Sequence, residues 1–141
     1  MPRCAVTRRL HFNPAHRLHT PRLSDAENAR VFGVCNNPNF HGHNYNLDVT
    51  VEGEIDPVTG YVLDINELKH RVETVLVRYL DHKNLNLDVP WFRDVNPTAE
   101  NIAVVCWRVL APAVAPARLT RIRLWETERN YVDYHGSDDG S

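Results

Sequence analysis

Two histidines separated by one glycine lead directly into an alternating stretch near the middle of the chain. The segment from Cys35 to Tyr45 contains His41 and His43, and apolar and polar residues alternate from Tyr45 onwards. This is the period of a half-buried strand. If the strand begins at His41, the two imidazoles point to the same face. The chain must then fold so that a sheet presents two neighbouring metal-binding side chains, and His16 is the best candidate for a third.

Apolar periodicity divides the rest of the chain into strands and helices. Apolar and polar residues alternate in four stretches that we interpret as strands, at 3–12, 41–54, 118–126 and 129–135. Residues 41–54 and 60–64 should form a hairpin, or be joined by one, through the turn at 56–60. Helical spacing predicts a short helix at 24–31, a longer helix from Asp64 to Leu80, and another that opens at 96–101 and stops at Pro112.

These elements predict an α+β fold. Hairpins form antiparallel sheet, and the two longer amphipathic helices can cover one face of it. The uncovered edges need a partner, so we expect the chain to form oligomers. The 141 residues fit a single domain, 1–141, and we expect its small acidic tail, 137–141, to fray.

Charge and cysteine content exclude several classes of protein. The formal net charge is −2, with no basic excess for nucleic acid and no polybasic run for membranes. No apolar run approaches the roughly 20 residues of a membrane span. The three cysteines are odd in number and have no close pairing, which predicts a reduced, cytoplasmic protein.

The histidines suggest a metal site. His16, His41 and His43 would offer three neutral imidazoles and leave one position open, which is typical of catalytic zinc rather than of a closed structural site. The alternative is that they are polar surface or capping histidines.

Four further side chains could take part in chemistry, each with a plainer alternative. Cys35 could be a general base beside a cation, or a small inert buried residue. Asp81 and His82 could form an acid/base pair, or His82 could cap helix carbonyls. Glu126 could accept two hydrogen bonds from a guanidine-like edge, or be a solvated residue at a strand end.

Six ordered blocks of the chain resemble the 6-pyruvoyl-tetrahydropterin synthase family. The resemblance covers about residues 5–135, and the tripeptide HGH alone would be a weak signal. The blocks are FNPAHRL at 12–18, LSDAEN at 23–28, FGVCNNPNFHGHNY at 32–45, LDHKNL at 80–85, PTAEN at 97–101 and WET at 125–127.

The resemblance implies the tunnelling fold, in which a four-stranded antiparallel sheet carries two helices on one face. In this family trimers join their sheets into a barrel, two trimers stack into a homohexamer, and the active sites lie between subunits. By position in the blocks, the resemblance implies three groups of site residues: zinc ligands His16, His41 and His43; a catalytic base Cys35 with acid/base partners Asp81 and His82; and the pterin anchor Glu126 with further pocket residues Thr98 and Glu100.

The implied reaction is a zinc-dependent elimination of triphosphate from 7,8-dihydroneopterin triphosphate, giving 6-pyruvoyl-tetrahydropterin. The main alternative is 6-carboxy-tetrahydropterin synthase of 7-deazaguanine (queuosine) biosynthesis, which also releases acetaldehyde. Five residues between Cys35 and His41 resemble the pyruvoyl branch, since the carboxy branch usually has three. Phe40 and Ala99 stand where animal enzymes carry Gly and Thr, and both could reshape the pocket. A non-catalytic pterin- or metal-binding protein is a further alternative, although it would have no use for Cys35 together with residues 81–82.

Overall fold

A computed structural model describes residues 1–136, and the tail predicted to fray, 137–141, lies outside them. The strands within that part are β1 (Arg3–Phe12), β2 (Ala15–His16), β3 (His41–Gly42), β4 (Tyr45–Glu54), β5 (Arg118–Trp125) and β6 (Tyr131–Tyr134). Four of them form an antiparallel sheet in the order β1-β4-β5-β6. The other two, β2 and β3, pair with each other in a small antiparallel ribbon.

The helices are α1 (Asp25–Phe32), α2 (Ile65–Val72), α3 (Arg78–Leu80) and α4 (Ala99–Leu110). A π-helical turn, Glu73–Val77, joins α2 to α3. Side chains cap the helices where the sequence predicts, because Ser24 and Glu27 form a reciprocal capping box and Asp64 and Thr98 accept bonds from first-turn amides. In residues 1–136 no helix is both long and apolar enough to cross a bilayer.

The helices pack on one face of the main sheet and bury its apolar side chains. Helix α2 lies against β1, and α4 lies against β5 and β6. This arrangement confirms the predicted α+β fold with two helical segments on one face. Fully buried side chains of this core include Phe12, Leu47, Val49, Leu68, Val72, Leu76, Leu80, Ile102, Leu110, Ile122 and Leu124.

Two predictions about the middle of the chain are wrong. The strand predicted at 41–54 is two strands, since β3 pairs with β2 and only β4 joins the main sheet. Residues 60–64 form a bend rather than a strand. The Tyr61 carbonyl accepts one bond from Asp56 N–H, at 2.9 Å, and Asp64 then caps α2. Residues 60–64 connect the main sheet to helix α2, and they are too few to form a second strand of a hairpin as well.

Candidate metal centre and surrounding site

The small β2–β3 ribbon brings three histidines together beside the end of the main sheet. His16 and His41 are cross-strand partners in it, and their Nε2 atoms lie 3.0 Å apart. One ring nitrogen from each of His16, His41 and His43 lies within 4.8 Å of the others. The sequence therefore folds so that the three predicted ligands converge, although they do not lie on one continuous strand.

His16 is held with one nitrogen aimed at this cluster. It is 1% exposed, and its Nδ1 lies 2.8 Å from the Pro97 carbonyl oxygen, which can only accept a hydrogen. That contact places the proton on Nδ1 and leaves the Nε2 lone pair free. Burial lowers the pKa of His16 to about 4, against the opposing effect of the Pro97 carbonyl. His16 is therefore neutral near pH 7, as a metal ligand must be.

The other two histidines also have ring nitrogens that could bind a cation. His43 Nε2 is buried and has no hydrogen-bond partner within residues 1–136, and His41 faces His16 with its Nε2 atom. A buried polar atom without a partner costs free energy that a bound ion would recover. Tetrahedral ligands at 2.0–2.1 Å from zinc lie about 3.3 Å apart, close to the 3.0 Å that separates His16 Nε2 from His41 Nε2. The donor set and its spacing fit a divalent metal.

Cys35 lies on a short 3₁₀ turn, Gly33–Asn36, that is tied to the segment following β2. Its carbonyl accepts the Leu18 N–H at 2.8 Å, and the Asn36 side-chain amide donates to the Leu18 carbonyl at 2.8 Å. Burial, and then the nearby Glu126 carboxylate, raise the pKa of the Cys35 thiol. A divalent cation bound by the histidines would act in the opposite direction.

Tyr45 connects the histidine cluster to Glu126, and the sequence analysis did not identify it as a site residue. It is fully buried at the start of β4, with its hydroxyl oxygen 3.5 Å from both His16 Nδ1 and Glu126 Oε2. Burial, followed by the Glu126 carboxylate, raises the pKa of Tyr45, so the phenol stays protonated. The only signal in the sequence is its position, two residues after His43 on the core-facing row of β4.

Asp81 and His82 form a pair at the end of α3. His82 Nδ1 lies 3.0 Å from Asp81 Oδ2, and the Asn13 N–H donates to Asp81 Oδ1 at 2.8 Å. Burial opposes ionisation, but the bonds from Asn13 and His82 outweigh it and lower the pKa of Asp81. The His82 side chain is 79% exposed, and its backbone has a φ of 59°. Among residues 1–136 no hydrogen bond joins this pair to Cys35 or to the three histidines.

The two remaining predicted site residues lie at the start of α4. Thr98 is the N-cap, accepting the Asn101 N–H at 3.2 Å, and it directly follows Pro97, whose carbonyl holds His16. Glu100 is exposed in the first turn of the helix. Thr98 therefore lies next in the chain to a residue that contacts the histidine cluster. The position of Glu100 needs no ligand to explain it, because a carboxylate in the first turn interacts favourably with the helix dipole.

Phe40 precedes the ribbon with a φ of 69°, in the left-handed region. This conformation favours glycine, which is the residue that the resemblance implies at this position. Phe40 adopts the same left-handed backbone conformation, and its side chain makes that conformation strained. The loop geometry is thus compatible with either residue, and the difference lies in the bulk of the side chain.

Known proteins resemble this chain along nearly its whole length. Residues 5–137 match the family model described as 6-pyruvoyl tetrahydropterin synthase. The chain is 49% identical over 131 residues to 6-pyruvoyl tetrahydrobiopterin synthase of Homo sapiens, covering 93% of this chain and 90% of the human protein. The same enzyme name is carried by a Poecilia reticulata protein that is 51% identical over 131 residues, covering 93% of this chain and 89% of the fish protein.

The fold agrees with this relationship. A solved structure of Caenorhabditis elegans 6-pyruvoyl tetrahydropterin synthase superposes with a TM-score of 0.91 at 41% identity, covering 97% of this chain and 98% of the other. The histidine cluster, the four-stranded sheet and the similarity over almost the full length lead to the same assignment: the chain belongs to the 6-pyruvoyl tetrahydropterin synthase family.

Proposed function

We propose that the chain is a zinc-dependent lyase that converts 7,8-dihydroneopterin triphosphate to 6-pyruvoyl-tetrahydropterin and releases triphosphate. The observation that carries the proposal is the convergence of three histidine nitrogens in a chain about half identical to proteins named as this synthase. The enzyme class follows from the same relatives. The five-residue spacing between Cys35 and His41 supports the pyruvoyl product over the carboxy product.

His16, His41 and His43 would hold the zinc ion. When bound, zinc supplies Lewis-acid polarisation of the substrate's side-chain oxygens. The protein itself keeps the His16 imidazole neutral and correctly oriented for metal binding. The Pro97 carbonyl fixes the His16 tautomer, and burial keeps the imidazole neutral.

Proton transfer would be divided between two groups of residues. Cys35, whose pKa is sensitive to charge in its surroundings, would accept a proton from a carbon of the substrate side chain. His82, oriented by Asp81, would exchange a proton further along that side chain. The carboxylate of Glu126 would accept two hydrogen bonds from the guanidine-like edge of the pterin ring, with Thr98 and Glu100 as further pocket residues.

The exposed position of His82 supports a site shared between subunits. Asp81 and His82 are not hydrogen-bonded to their own chain's Cys35 or histidine cluster, and 79% of the His82 side chain is exposed. We therefore assign His82 to the site of a neighbouring copy in a homohexamer built as a dimer of trimers. The unpaired cysteines fit a reducing compartment, so we place the enzyme in the cytoplasm.

The test is incubation of the zinc-loaded protein with 7,8-dihydroneopterin triphosphate, with mass analysis of the pterin and an assay for acetaldehyde. We expect the pyruvoyl pterin without acetaldehyde. A carboxy pterin with acetaldehyde would instead identify the chain as a 6-carboxy-tetrahydropterin synthase. Bound zinc with no turnover would indicate a pterin- or metal-binding protein.

The variant Cys35→Ala tests the proposed base. We expect turnover to fall by about 10²–10⁴-fold, because a general base contributes on that order, while bound zinc is retained. Cys4→Ala is the matched control, since Cys4 is an exposed cysteine on β1 away from the histidines. Full activity of Cys35→Ala would remove Cys35 from the mechanism.

A further inference from the structure

The Tyr45 side chain is held tightly against the histidine cluster. Its ring is fully buried and stacks on Phe12, with ring centres 5.5 Å apart. The same ring meets His16 and His43 at steep angles, with ring centres 6.2 and 5.6 Å apart. Aromatic pairs in such arrangements contribute beyond the burial of their area. The Tyr45 hydroxyl therefore has a fixed position beside two of the three predicted metal ligands.

The hydrogen bonds around this hydroxyl run in one direction. A phenol has a single hydrogen to donate, and Tyr45 donates it to Glu126 Oε2 at 3.5 Å. The phenol oxygen in turn lies 3.5 Å from His16 Nδ1, whose hydrogen is also donated to the Pro97 carbonyl at 2.8 Å. Donation thus passes from a predicted metal ligand, through Tyr45, to the predicted pterin anchor.

The Glu126 carboxylate depends on Tyr45 for its orientation. Among the hydrogen bonds within residues 1–136, the Tyr45 hydroxyl is the only donor to the Glu126 side chain. The Glu126 N–H donates to the Asn130 carbonyl at 3.1 Å, which holds the backbone and leaves the carboxylate free to rotate. A carboxylate that accepts two parallel hydrogen bonds must have its plane correctly set. Tyr45 is the group placed to set it.

From this arrangement we infer that Tyr45 couples the metal centre to Glu126, so that a metal ion on the histidines strengthens the binding of a pterin ring. A cation at His16 Nε2 draws electrons from the imidazole and makes its Nδ1–H a stronger donor. The phenol that accepts this hydrogen then donates more strongly to Glu126, because hydrogen bonds in a chain polarise one another. Tyr45 is thus a positioning residue, which acts through His16 and Glu126.

The length of the two contacts at the Tyr45 hydroxyl leaves room for this effect. Both are 3.5 Å, at the long end of hydrogen-bond distances, and hydrogen bonds in a site commonly shorten when a ligand binds. Coupling between two sites is reciprocal, so a bound pterin must strengthen metal binding by the same factor. The inference rests on the function proposed above and specifies how the metal centre and the pterin anchor of its site are linked.

Fluorescence titration with pterin that has no side chain at position 6 tests the coupling. This probe keeps the guanidine-like edge that Glu126 would bind, and it lacks the side-chain oxygens that zinc would bind directly. We expect the Kd of the zinc-loaded protein to be about fivefold lower than that of the protein after chelation, at the lower end of ordinary coupling between sites. Tyr45→Phe retains the ring and loses only the hydroxyl, and in this variant we expect most of the zinc effect to disappear.

The matched control is Tyr134→Phe, which removes the hydroxyl of a partly buried tyrosine on β6 that packs on Trp107. We expect this control to keep the full zinc effect of the parent. A purely structural role of Tyr45 would change stability or zinc affinity without changing the ratio of the two Kd values. The inference is overturned by a zinc effect of the parent's size in Tyr45→Phe, by no zinc effect in the parent, or by equal loss in Tyr134→Phe. A direct contact between pterin and the metal would give the first of these results.

A second variant keeps the test decisive if Tyr45→Phe does not fold. Glu126→Asp breaks the same contact from the other end, because it keeps the negative charge and shortens the side chain by one methylene. We expect Glu126→Asp to bind pterin more weakly than the parent, by nearly the same factor with zinc as without it. A zinc effect of the parent's size in this variant would contradict the coupling.

The outcome is separable from that of the proposed function, which is measured as turnover of 7,8-dihydroneopterin triphosphate by the zinc-loaded parent. Turnover without a zinc effect that depends on Tyr45 refutes only the coupling. A zinc effect that is lost in Tyr45→Phe, in a parent without turnover, refutes only the proposed reaction. A parent that turns over its substrate but does not bind the pterin probe also refutes the coupling, because Glu126 would then not anchor the ring.

Discussion

Asp48 shows how strongly the polar face of the sheet depends on paired charge. It is only 6% exposed, and it accepts bonds from Arg9 and from the Trp125 indole nitrogen at 3.1 Å. Burial disfavours its ionised form, but these bonds outweigh burial and lower the pKa of Asp48 from its ordinary value of 3.8. The folded protein therefore holds the carboxylate ionised at a pH where the unfolded chain has begun to bind a proton.

This shift predicts an acid-dependent loss of stability. The contribution of Asp48 is fully present above its unfolded pKa of 3.8 and is lost as the pH falls from there through the lower folded value. Asp48→Asn should lower the free energy of unfolding near pH 7 by about 1–3 kcal/mol, because it weakens charged hydrogen bonds. It should also make unfolding less dependent on pH below 3.8. Denaturant titrations at several pH values measure both effects, and an unchanged pH dependence would contradict the assignment.

At the residue scale, local sequence spacing identifies some groups of the site and not others. The neighbouring positions of His41 and His43 could be predicted because residues two apart on a predicted strand share one face. Tyr45 could not, because its role depends on a hydroxyl placed 3.5 Å from Glu126, a residue far away in the chain. The contact between His16 and the Pro97 carbonyl could not be predicted from the sequence either, because every residue type has the same backbone acceptor.

At the element scale, the helical segment from residue 65 to residue 80 contains a turn that periodicity did not predict. Its buried residues, Leu68, Val72, Leu76 and Leu80, recur at every fourth position. A regular α-helix would rotate such a row by about 40° at each step, since it has 3.6 residues per turn. The wider π-helical turn, Glu73–Val77, offsets that drift and keeps Leu76 and Leu80 on the core. A pattern with a four-residue repeat fits an α-helix closely enough to conceal the difference.

This segment gives a prediction about stability. Leu76→Ala removes a fully buried side chain directly within the π-helical turn, and we expect it to cost about 2–5 kcal/mol of unfolding free energy. Ile65→Ala is the matched control at the exposed start of the same segment, where Ile65 is 43% exposed, and its cost should be much smaller. Equilibrium urea unfolding compares the two. Equal losses would mean that the turn does not hold Leu76 in the core.

The break between β3 and β4 has a similar explanation. Alternation from His41 onwards suggests one strand, yet His41 and Gly42 pair with β2 while Tyr45 begins the pairing with β1. Periodicity specifies which face a side chain occupies and gives no information about the partner strand. The prediction that the two histidines lie side by side is confirmed, with ring centres 4.8 Å apart, although His43 lies in the short connection between β3 and β4.

At the scale of the whole molecule, the candidate site falls into two groups of residues that no hydrogen bond joins within residues 1–136. Cys35, Glu126 and the histidine cluster interact within one copy, since Glu126 contributes to the raised pKa of Cys35. Asp81 and His82 form a separate pair anchored to Asn13 at the end of β1. If His82 serves the site of a neighbouring copy, as proposed above, the reaction would require assembly.

Subunit mixing tests this requirement. Cys35→Ala and His82→Ala should each be inactive as pure proteins, while a co-expressed equal mixture should recover activity. About a quarter of the joints in a randomly assembled ring would combine an intact Cys35 with a neighbour's intact His82. Mixing Cys35→Ala with Glu126→Gln should give no gain over the separate proteins, because Cys35 and Glu126 belong to the same copy's site. No recovery in the first mixture would place His82 in the site of its own chain, and recovery in the second would mean that Cys35 and Glu126 come from different copies.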